Sequence, residues 1–254
     1  MLLFGAGGAD TLLAGSGDDA LIGGDGDDVI SGGAGNDLML GNAGDDTFNG
    51  GAGSDTMFIG DSGDVITDGG EGFDKAVITE TDGLSIDIGE WVGVERINGL
   101  TGDVVIDGTG LETSMIFSGA GGDDVMTGGD AGDTMFGGQG CDTLLVAGGN
   151  DVLIGAAGDD TIDGGAGNDF YLGGAGADSF AFSNAFGCDI VKDFTQGTDR
   201  LDFTGHSGIE ELADLSITQS GDHTIITLAA GGSDQVTLVD FTLTDLAGTE
   251  FDFV

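Results

Sequence analysis

The amino-acid sequence predicts an all-β protein, a parallel β-roll in two blocks with a β-rich C-terminal cap. Three observations carry that expectation. Aspartates recur every nine residues, at Asp10, Asp19, Asp28, Asp37, Asp46, Asp55 and Asp64, and again at Asp124, Asp133, Asp142, Asp151, Asp160, Asp169 and Asp178. Two residues after each stands an apolar side chain: Leu12, Leu21, Ile30, Met39, Phe48, Met57 and Ile66, then Met126, Met135, Leu144, Leu153, Ile162, Tyr171 and Phe180. Before each aspartate lies a glycine-rich run, as in GGAGND at 32–37 and 164–169. A fixed period of this kind marks a solenoid, in which each repeat packs only on its neighbours.

The unit is G-G-x-G-x-D-x-U-x, with U apolar. Its first six residues turn the chain, with glycine where φ is positive or the backbone packs closely on a neighbour. The last three, x-U-x, form a short strand whose middle side chain points inward. Two turns and two strands make a coil of eighteen residues, and coils stack at the strand spacing of roughly 4.8 Å. Turn n therefore lies over turn n+2. Asp10, Asp28, Asp46 and Asp64 line one edge, and Asp19, Asp37 and Asp55 line the other.

Such an edge repels itself. The 254 residues include 55 glycines, no proline, and 4 Lys+Arg against 47 Asp+Glu, a formal net charge of −43. Carboxylates stacked about 5 Å apart repel by roughly 3 kcal/mol per neighbouring pair at an effective dielectric near 20. The two U side chains of a coil return only about 1.5–3 kcal/mol apiece. The roll thus requires a counter-charge. Its donors are hard oxygens, with no His or Cys cluster in competition, and that set suits calcium, which takes about 6–8 oxygens at roughly 2.3–2.6 Å.

The expected ligands are the sixth-position aspartates named above, together with Asp74 and Asp189 beyond the two series. Carbonyls at the second and fourth positions join them: Gly24 and Gly26, Gly33 and Gly35, Gly165 and Gly167, Gly174 and Gly176. Pairing each turn with the next but one gives on the order of ten calcium ions. Degenerate copies mark the block edges and form the weakest sites, where a merely solvated acidic loop is the alternative. IGDSGDVIT (59–67) has Ser62 and GGDAGDTMF (128–136) has Ala131 in place of the fourth-position glycine, and VAGGNDVLI (146–154) lacks the leading glycine pair.

The expected organisation is a first block over 1–74, a degenerate connecting segment over 75–118, a second block over 119–181, and a C-terminal cap over 182–254. In the connecting segment short alternating runs persist (SIDIG, DVVID, SMIFS), and Asp103 and Glu112, nine apart, read as worn copies of the sixth position. Trp91, Glu95 and Arg96 read as a buried aromatic anchor with a satisfied ion pair in preference to a ligand patch. In the cap a last turn at Asp189 is followed by Asp193, Asp199 and Asp202. A helical turn in GIEELADL and three β-like runs, LSITQ, TIITL and QVTLVDF, then cover the open end of the roll, whose strand edges would otherwise invite aggregation.

Several function classes are excluded or unsupported. The acidic balance makes nucleic acid a poor partner and opposes adsorption to anionic lipid. No run approaches the roughly 18 apolar residues of a membrane span. The start, MLLFGAGGAD, lacks the basic region of a secretory signal peptide, so export uses another route or the chain is cut from something longer. Cys141 and Cys188 occupy fifth positions of turns on opposite edges, so no intramolecular disulfide is expected. His206 and His223 are expected at surface or hairpin positions of the cap. With no H-E-x-x-H and no G-x-S-x-G, no catalytic constellation is found and the chain is read as no enzyme.

The repeat resembles that of the RTX (haemolysin-type calcium-binding) family over nearly the whole chain. Residues 75–118, with Gly93, Val94, Glu95 and Gly99 in a G-V-E-x-x-x-G arrangement, resemble insertions found in that family. The C-terminal segment is similar to the end of serralysin-type proteases, and EFDFV resembles an uncleaved secretion signal, although only Phe253 and Val254 follow Asp252 where the pattern has three apolar residues. The resemblance implies a secreted, extracellular calcium-binding module that passes through type I secretion machinery and then folds on calcium. Two other readings stand beside it: a calcium-dependent polysaccharide- or surface-binding module, and the C-terminal tail of a larger secreted enzyme.

Overall fold

The computed structural model describes residues 1–79, 83–242, 246 and 248–253; Val254, the last residue of the EFDFV motif, lies outside them. The chain divides into two compact units, residues 1–109 with 115–121, and residues 110–114 with 122–254. Each is a solenoid of stacked parallel coils.

In the first unit the strands are β1 (Leu2–Gly7), β2 (Thr11–Leu13), β3 (Ala20–Asp25), β4 (Val29–Ala34), β5 (Leu38–Ala43), β6 (Thr47–Ala52), β7 (Thr56–Ile59), β8 (Val65–Glu71), β9 (Lys75–Ile78), β10 (Leu84–Asp87), β11 (Arg96–Asn98), β12 (Val104–Asp107) and β13 (Ile116–Gly121). Odd-numbered strands pair in parallel up one side and β2, β4, β6 and β8 up the other. The register is that of an eighteen-residue coil: Leu21 faces Met39, Met39 faces Met57, and Ile30 faces Phe48. These U side chains are fully buried, so the core is one apolar column under each sheet.

Strands reach further than x-U-x. β3, β4 and β6 run six residues, through the glycine pair of the following turn, and β5 likewise runs through Gly41 and Asn42, with Gly33 opposite Gly51. Neighbouring coils come so close there that side chains do not fit. Gly24, at φ +125°, would carry a Cβ 2.2 Å from the carbonyl oxygen of Ala6. The glycine pair is thus strand as well as turn.

The two sheets of this unit differ in what flanks the buried column. On the odd strands the outer neighbours are Leu2 and Phe4, Ala20 and Ile22, Leu38 and Leu40, Thr56 and Phe58, then Lys75 and Val77. On the even strands they are Thr11 and Leu13, Val29 and Ser31, Thr47 and Asn49, Val65 and Thr67. One face is apolar and the other mixed.

The second unit carries β14 (Val125–Thr127), β15 (Thr134–Gln139), β16 (Thr143–Leu145), β17 (Gly148–Gly149), β18 (Val152–Ala157), β19 (Thr161–Asp163), β20 (Ala166–Gly167), β21 (Phe170–Ala175), β22 (Ser179–Ala181), β23 (Cys188–Val191) and β24 (Arg200–Asp202). A 3-10 turn (Leu212–Asp214), β25 (Leu215–Ser220), β26 (His223–Leu228), β27 (Gln235–Leu238) and β28 (Phe251–Asp252) complete it. β25, β26 and β27 form an antiparallel meander whose last strand adds in parallel to β23, so the roll ends on a hairpin edge. Phe182, Phe203, Phe251 and Phe253 stack in succession, with Phe186 set edge-on to Phe182.

Two expectations need correction. Trp91 is buried as an anchor, but Glu95 and Arg96 do not pair with each other. Glu95 accepts the Asp74 N–H at 2.7 Å, and Arg96 Nε donates to Asn98 at 2.7 Å, because the carboxylate is needed by an orphan strand amide. His206 is not at the surface; it is buried against the Phe186 ring, and its Nδ1 accepts the Gly208 N–H. His223 does lie in the β25–β26 hairpin.

Candidate metal centre

The nine-residue period brings the sixth-position aspartates into columns and buries them. Each sends one carboxylate oxygen to the coil below. Asp28 Oδ1 accepts the Asp10 N–H, Asp37 that of Asp19, Asp46 that of Asp28, Asp55 that of Asp37, Asp64 that of Asp46 and Asp74 that of Asp55, at 2.7–2.8 Å. In the second unit Asp142, Asp151, Asp160, Asp169, Asp178 and Asp189 do the same for Asp124, Asp133, Asp142, Asp151, Asp160 and Asp169. The columns continue where the period fails: Asp199 accepts the Asp178 N–H and Glu95 that of Asp74.

The other oxygen is left over. Oδ2 of Asp10, Asp28, Asp37, Asp46, Asp55, Asp74, Asp142, Asp151, Asp160, Asp169, Asp178 and Asp189 is buried and has no hydrogen-bond partner. A buried carboxylate oxygen without a partner costs about 1–3 kcal/mol or more. Repeating that cost along a column is tolerable only if something else binds there.

In the regular turns the orphan oxygen faces a space kept open by the leading glycine: Gly5, Gly23, Gly32, Gly41, Gly50, Gly137, Gly155, Gly164 and Gly173 for Asp10, Asp28, Asp37, Asp46, Asp55, Asp142, Asp160, Asp169 and Asp178. A Cβ on Gly5 would lie 2.7 Å from Asp10 Oδ2 and 2.6 Å from the Gly23 carbonyl oxygen of the coil above. One on Gly155 would collide with Asp160 Oδ2 and stand 2.8 Å from the Gly173 oxygen, and Gly32 repeats the pattern with Asp37 and Gly50. Carboxylate and carbonyl thus converge on one cradle in turn after turn. Among the described residues no point gathers three or more His, Cys, Asp or Glu side chains, so a cation here would take much of its shell from the backbone. All donors are hard oxygens, which fits calcium.

The predicted carbonyls lie nearby in a different relation. Those of Gly26, Gly33, Gly35 and Gly167 face Gly44, Gly51, Gly53 and Gly187 one coil on, while Gly24, Gly165, Gly174 and Gly176 sit over carbonyls of the coil below. The carbonyl beside the orphan oxygens of Asp10, Asp28, Asp37, Asp55, Asp142 and Asp160 is that of the next coil's leading glycine, a first-position residue the sequence reading did not single out. Fifth-position residues were missed too. Asp18, Asp27 and Asn36 accept amides from the coil above, so their ladder runs opposite to that of the aspartates.

Degenerate turns behave differently. Where Ser62 replaces glycine, Asp64 Oδ2 accepts the Gly60 and Asp61 N–H groups of its own turn. Asp199 Oδ2 likewise accepts the Thr195 N–H, and Asp133 Oδ2 that of Gly129. These turns satisfy themselves. Asp151, in the copy lacking the leading glycines, keeps an orphan oxygen like a regular turn.

Burial pushes the columns' ionisation up, and neighbouring carboxylates add to it against the lowering effect of the ladder amides. Asp46, Asp74, Asp169 and Asp178 rise to about 6, Asp151 and Asp160 to about 7, and Asp189 to about 8. Tyr171, buried with its hydroxyl accepting the Gly164 N–H beside Asp169, is raised well above the usual phenol range by the same burial. Cys141 and Cys188 are exposed thiols whose amides donate to Asp123 and Asn168.

The family model of the RTX calcium-binding nonapeptide repeat (4 copies) matches residues 4–39, 22–57, 31–66, 40–75, 116–144 and 147–180. Comparison with curated proteins returns no match. Among solved structures, the AlgE6R3 subunit of the Azotobacter vinelandii mannuronan C5-epimerase is similar at 30% identity over 49% of this chain and 80% of that one, with a TM-score of 0.42. The AlgE6R2 subunit of that epimerase is similar at 31% identity over 50% and 91%, TM-score 0.39. The extracellular lipase LipA of Serratia marcescens is similar at 21% identity over 93% of this chain and 40% of the lipase, TM-score 0.38.

Proposed function

The chain belongs to the RTX calcium-binding nonapeptide repeat family, and from that premise we propose that it is a secreted module that folds when its aspartate columns take up calcium outside the cell. The observation that carries this reading is the row of buried Oδ2 atoms without partners, which in the turns of Asp10, Asp28, Asp37, Asp55, Asp142 and Asp160 stand beside both an unfilled glycine position and a glycine carbonyl of the next coil. Bound there, calcium supplies the charge that lets stacked carboxylates pack. In a compartment poor in calcium the columns repel and the chain stays extended, which suits passage through a type I exporter. Where calcium is plentiful, sites of modest affinity, about 10⁻⁴–10⁻³ M for extracellular modules, fill and pull folding with them. Its role is then structural: a calcium-locked roll.

The ligand assignment follows the orphan oxygens. Asp10, Asp28, Asp37, Asp46, Asp55, Asp74, Asp142, Asp151, Asp160, Asp169, Asp178 and Asp189 face the ions, with leading-glycine carbonyls opposite where the next coil supplies one, whereas Asp64 closes its own turn. Equilibrium dialysis with radioactive calcium tests this. Asp46→Asn is expected to lower the number of ions bound per chain, while Asp64→Asn leaves the count unchanged. Equal counts for wild type and Asp46→Asn would overturn the assignment.

The cradle gives a second test. Gly155→Ala meets no positive-φ strain, yet its methyl group occupies the space between Asp160 Oδ2 and the Gly173 carbonyl. Its calcium midpoint for folding, followed by circular dichroism, is expected to rise severalfold. A midpoint identical to wild type would show that the space holds no ion.

A further inference from the structure

We propose that Tyr171 is a ligand residue: its phenol oxygen completes the cation site of Asp169, in the place that a leading-glycine carbonyl holds in turns such as that of Asp160. The proposal rests on the calcium reading and adds to it one site of different chemistry.

The sequence marks the position. Tyr171 is the only tyrosine of the chain, and the only U side chain that carries an oxygen. It lies in β21, fully buried in the apolar column. A hydroxyl buried without a partner costs about 1–3 kcal/mol, so its presence there needs a cause. Packing supplies none. In the next turn Phe180 fills the same place, its ring tip 2.8 Å from where a Gly173 Cβ would lie. Phenylalanine suffices for the core.

The hydroxyl reaches the cradle. A Cβ on Gly164 would stand 2.3 Å from the Tyr171 oxygen and 2.5 Å from Asp169 Oδ2. For Gly5, Gly32 and Gly155 the neighbour opposite the carboxylate is a carbonyl oxygen of the next coil, at 2.6, 2.7 and 2.8 Å. The Gly164 position has no carbonyl within that range. The next coil runs from Ala181, opposite Asp163, into Phe182 where a regular turn has its leading glycine. The Phe182 ring packs on Tyr171 with centroids 5.7 Å apart. In this turn the phenol stands where the carbonyl stands elsewhere.

Valence points to a cation between the two oxygens. A phenol oxygen has one proton and two lone pairs. One lone pair accepts the Gly164 N–H at 3.0 Å. Asp169 Oδ1 accepts the Asp151 N–H, while its Oδ2 is buried and has no hydrogen-bond partner, the hydroxyl included. Two oxygens thus converge on one space without bonding each other. Calcium, with its tolerant geometry and preference for hard oxygens, takes the second lone pair of the phenol and the free oxygen of the carboxylate. The phenol brings no charge, so Asp169 supplies the electrostatic attraction.

Equilibrium dialysis of the full chain at about 10⁻³ M free calcium tests the ligation, with circular dichroism on the same samples to show that each variant is folded. Tyr171→Phe is expected to fold, as Phe180 does in its own turn, and to bind about one ion fewer than wild type. A second arm locates the ion. Terbium in place of calcium emits when an excited aromatic ring stands beside it. With Trp91→Phe, Tyr171 is the one tyrosine or tryptophan left to sensitise it. In that background Asp169→Asn is expected to lower the emission severalfold, far more than Asp46→Asn, whose turn lies in the first unit. Folded Tyr171→Phe with a full or raised ion count would overturn the proposal, leaving the hydroxyl as a plug that closes Asp169 without an ion. Equal losses of emission from the two asparagine variants would overturn it as well. A wild type that binds no calcium would strike the calcium reading itself, and this site with it.

Discussion

Stripping calcium with excess chelator at about pH 8 is expected to turn the β-sheet circular-dichroism spectrum of this chain into that of a disordered one. The magnitude follows from mass action. A site held at ten times its dissociation constant stabilises the folded state by about 1.4 kcal/mol. A handful of such sites already matches the ~5–15 kcal/mol that an ordinary domain has in total. Against this the roll offers a core one side chain wide under each sheet, and columns of carboxylates a strand spacing apart. Without the ions the balance turns unfavourable, and because every coil leans on its neighbours the loss is expected to spread through a unit. A spectrum equally strong in β signal before and after chelation would sink the calcium-folding proposal.

Acid is expected to do part of what calcium does. Asp46, Asp74, Asp151, Asp160, Asp169, Asp178 and Asp189 are raised in the folded chain from 3.8 to values between about 6 and about 8, chiefly by burial. A carboxyl whose folded value exceeds its unfolded one stabilises the fold below the unfolded value, and the contribution drains away as pH rises through the folded value. Calcium-free protein is thus expected to be most stable near about pH 4 and to weaken steadily up to about pH 8. Exposed carboxylates finish titrating well below pH 6, so the upper part of that window belongs to the buried columns. In calcium the dependence reverses, because protons and ions compete for the same oxygens and affinity climbs with pH. Urea midpoints of chelated protein across this range would settle it: a midpoint that falls on acidification contradicts the arrangement of the columns.

Much of the fold was legible because the repeat is strict. Aspartate every nine residues, with the apolar residue two later, sets the coil length, the parallel register and both buried columns, and Leu21, Met39 and Met57 lie where the period puts them. The aspartates of the columns were equally plain. What could not be read was which way each carboxylate turns. Ser62 marks the Asp64 turn as degenerate in sequence, but does not show that Asp64 closes on its own turn through the Gly60 and Asp61 amides while Asp46 keeps an oxygen free. Nor does the period announce Glu95 or Asp199, which join the columns after irregular spacings because an amide there lacks a partner. His206 was misplaced because a lone histidine in TGHSG carries no pattern; only packing against Phe186 reveals its burial.

The alternation between faces gives the chain a parity. Losing or gaining eighteen residues inside a block removes or adds one whole coil and leaves every ladder, column and flanking face aligned. Losing or gaining nine does not. Beyond such a lesion the aspartates still fall into columns and U residues still point inward, but each turn has moved to the opposite side. The apolar ladder of Phe4, Ile22 and Leu40 would then continue across the boundary as Asn49 or Thr67. A module of this kind can change length only in even steps if its two sides are to stay distinct, and its unit of inheritance is the coil of two repeats, not the repeat.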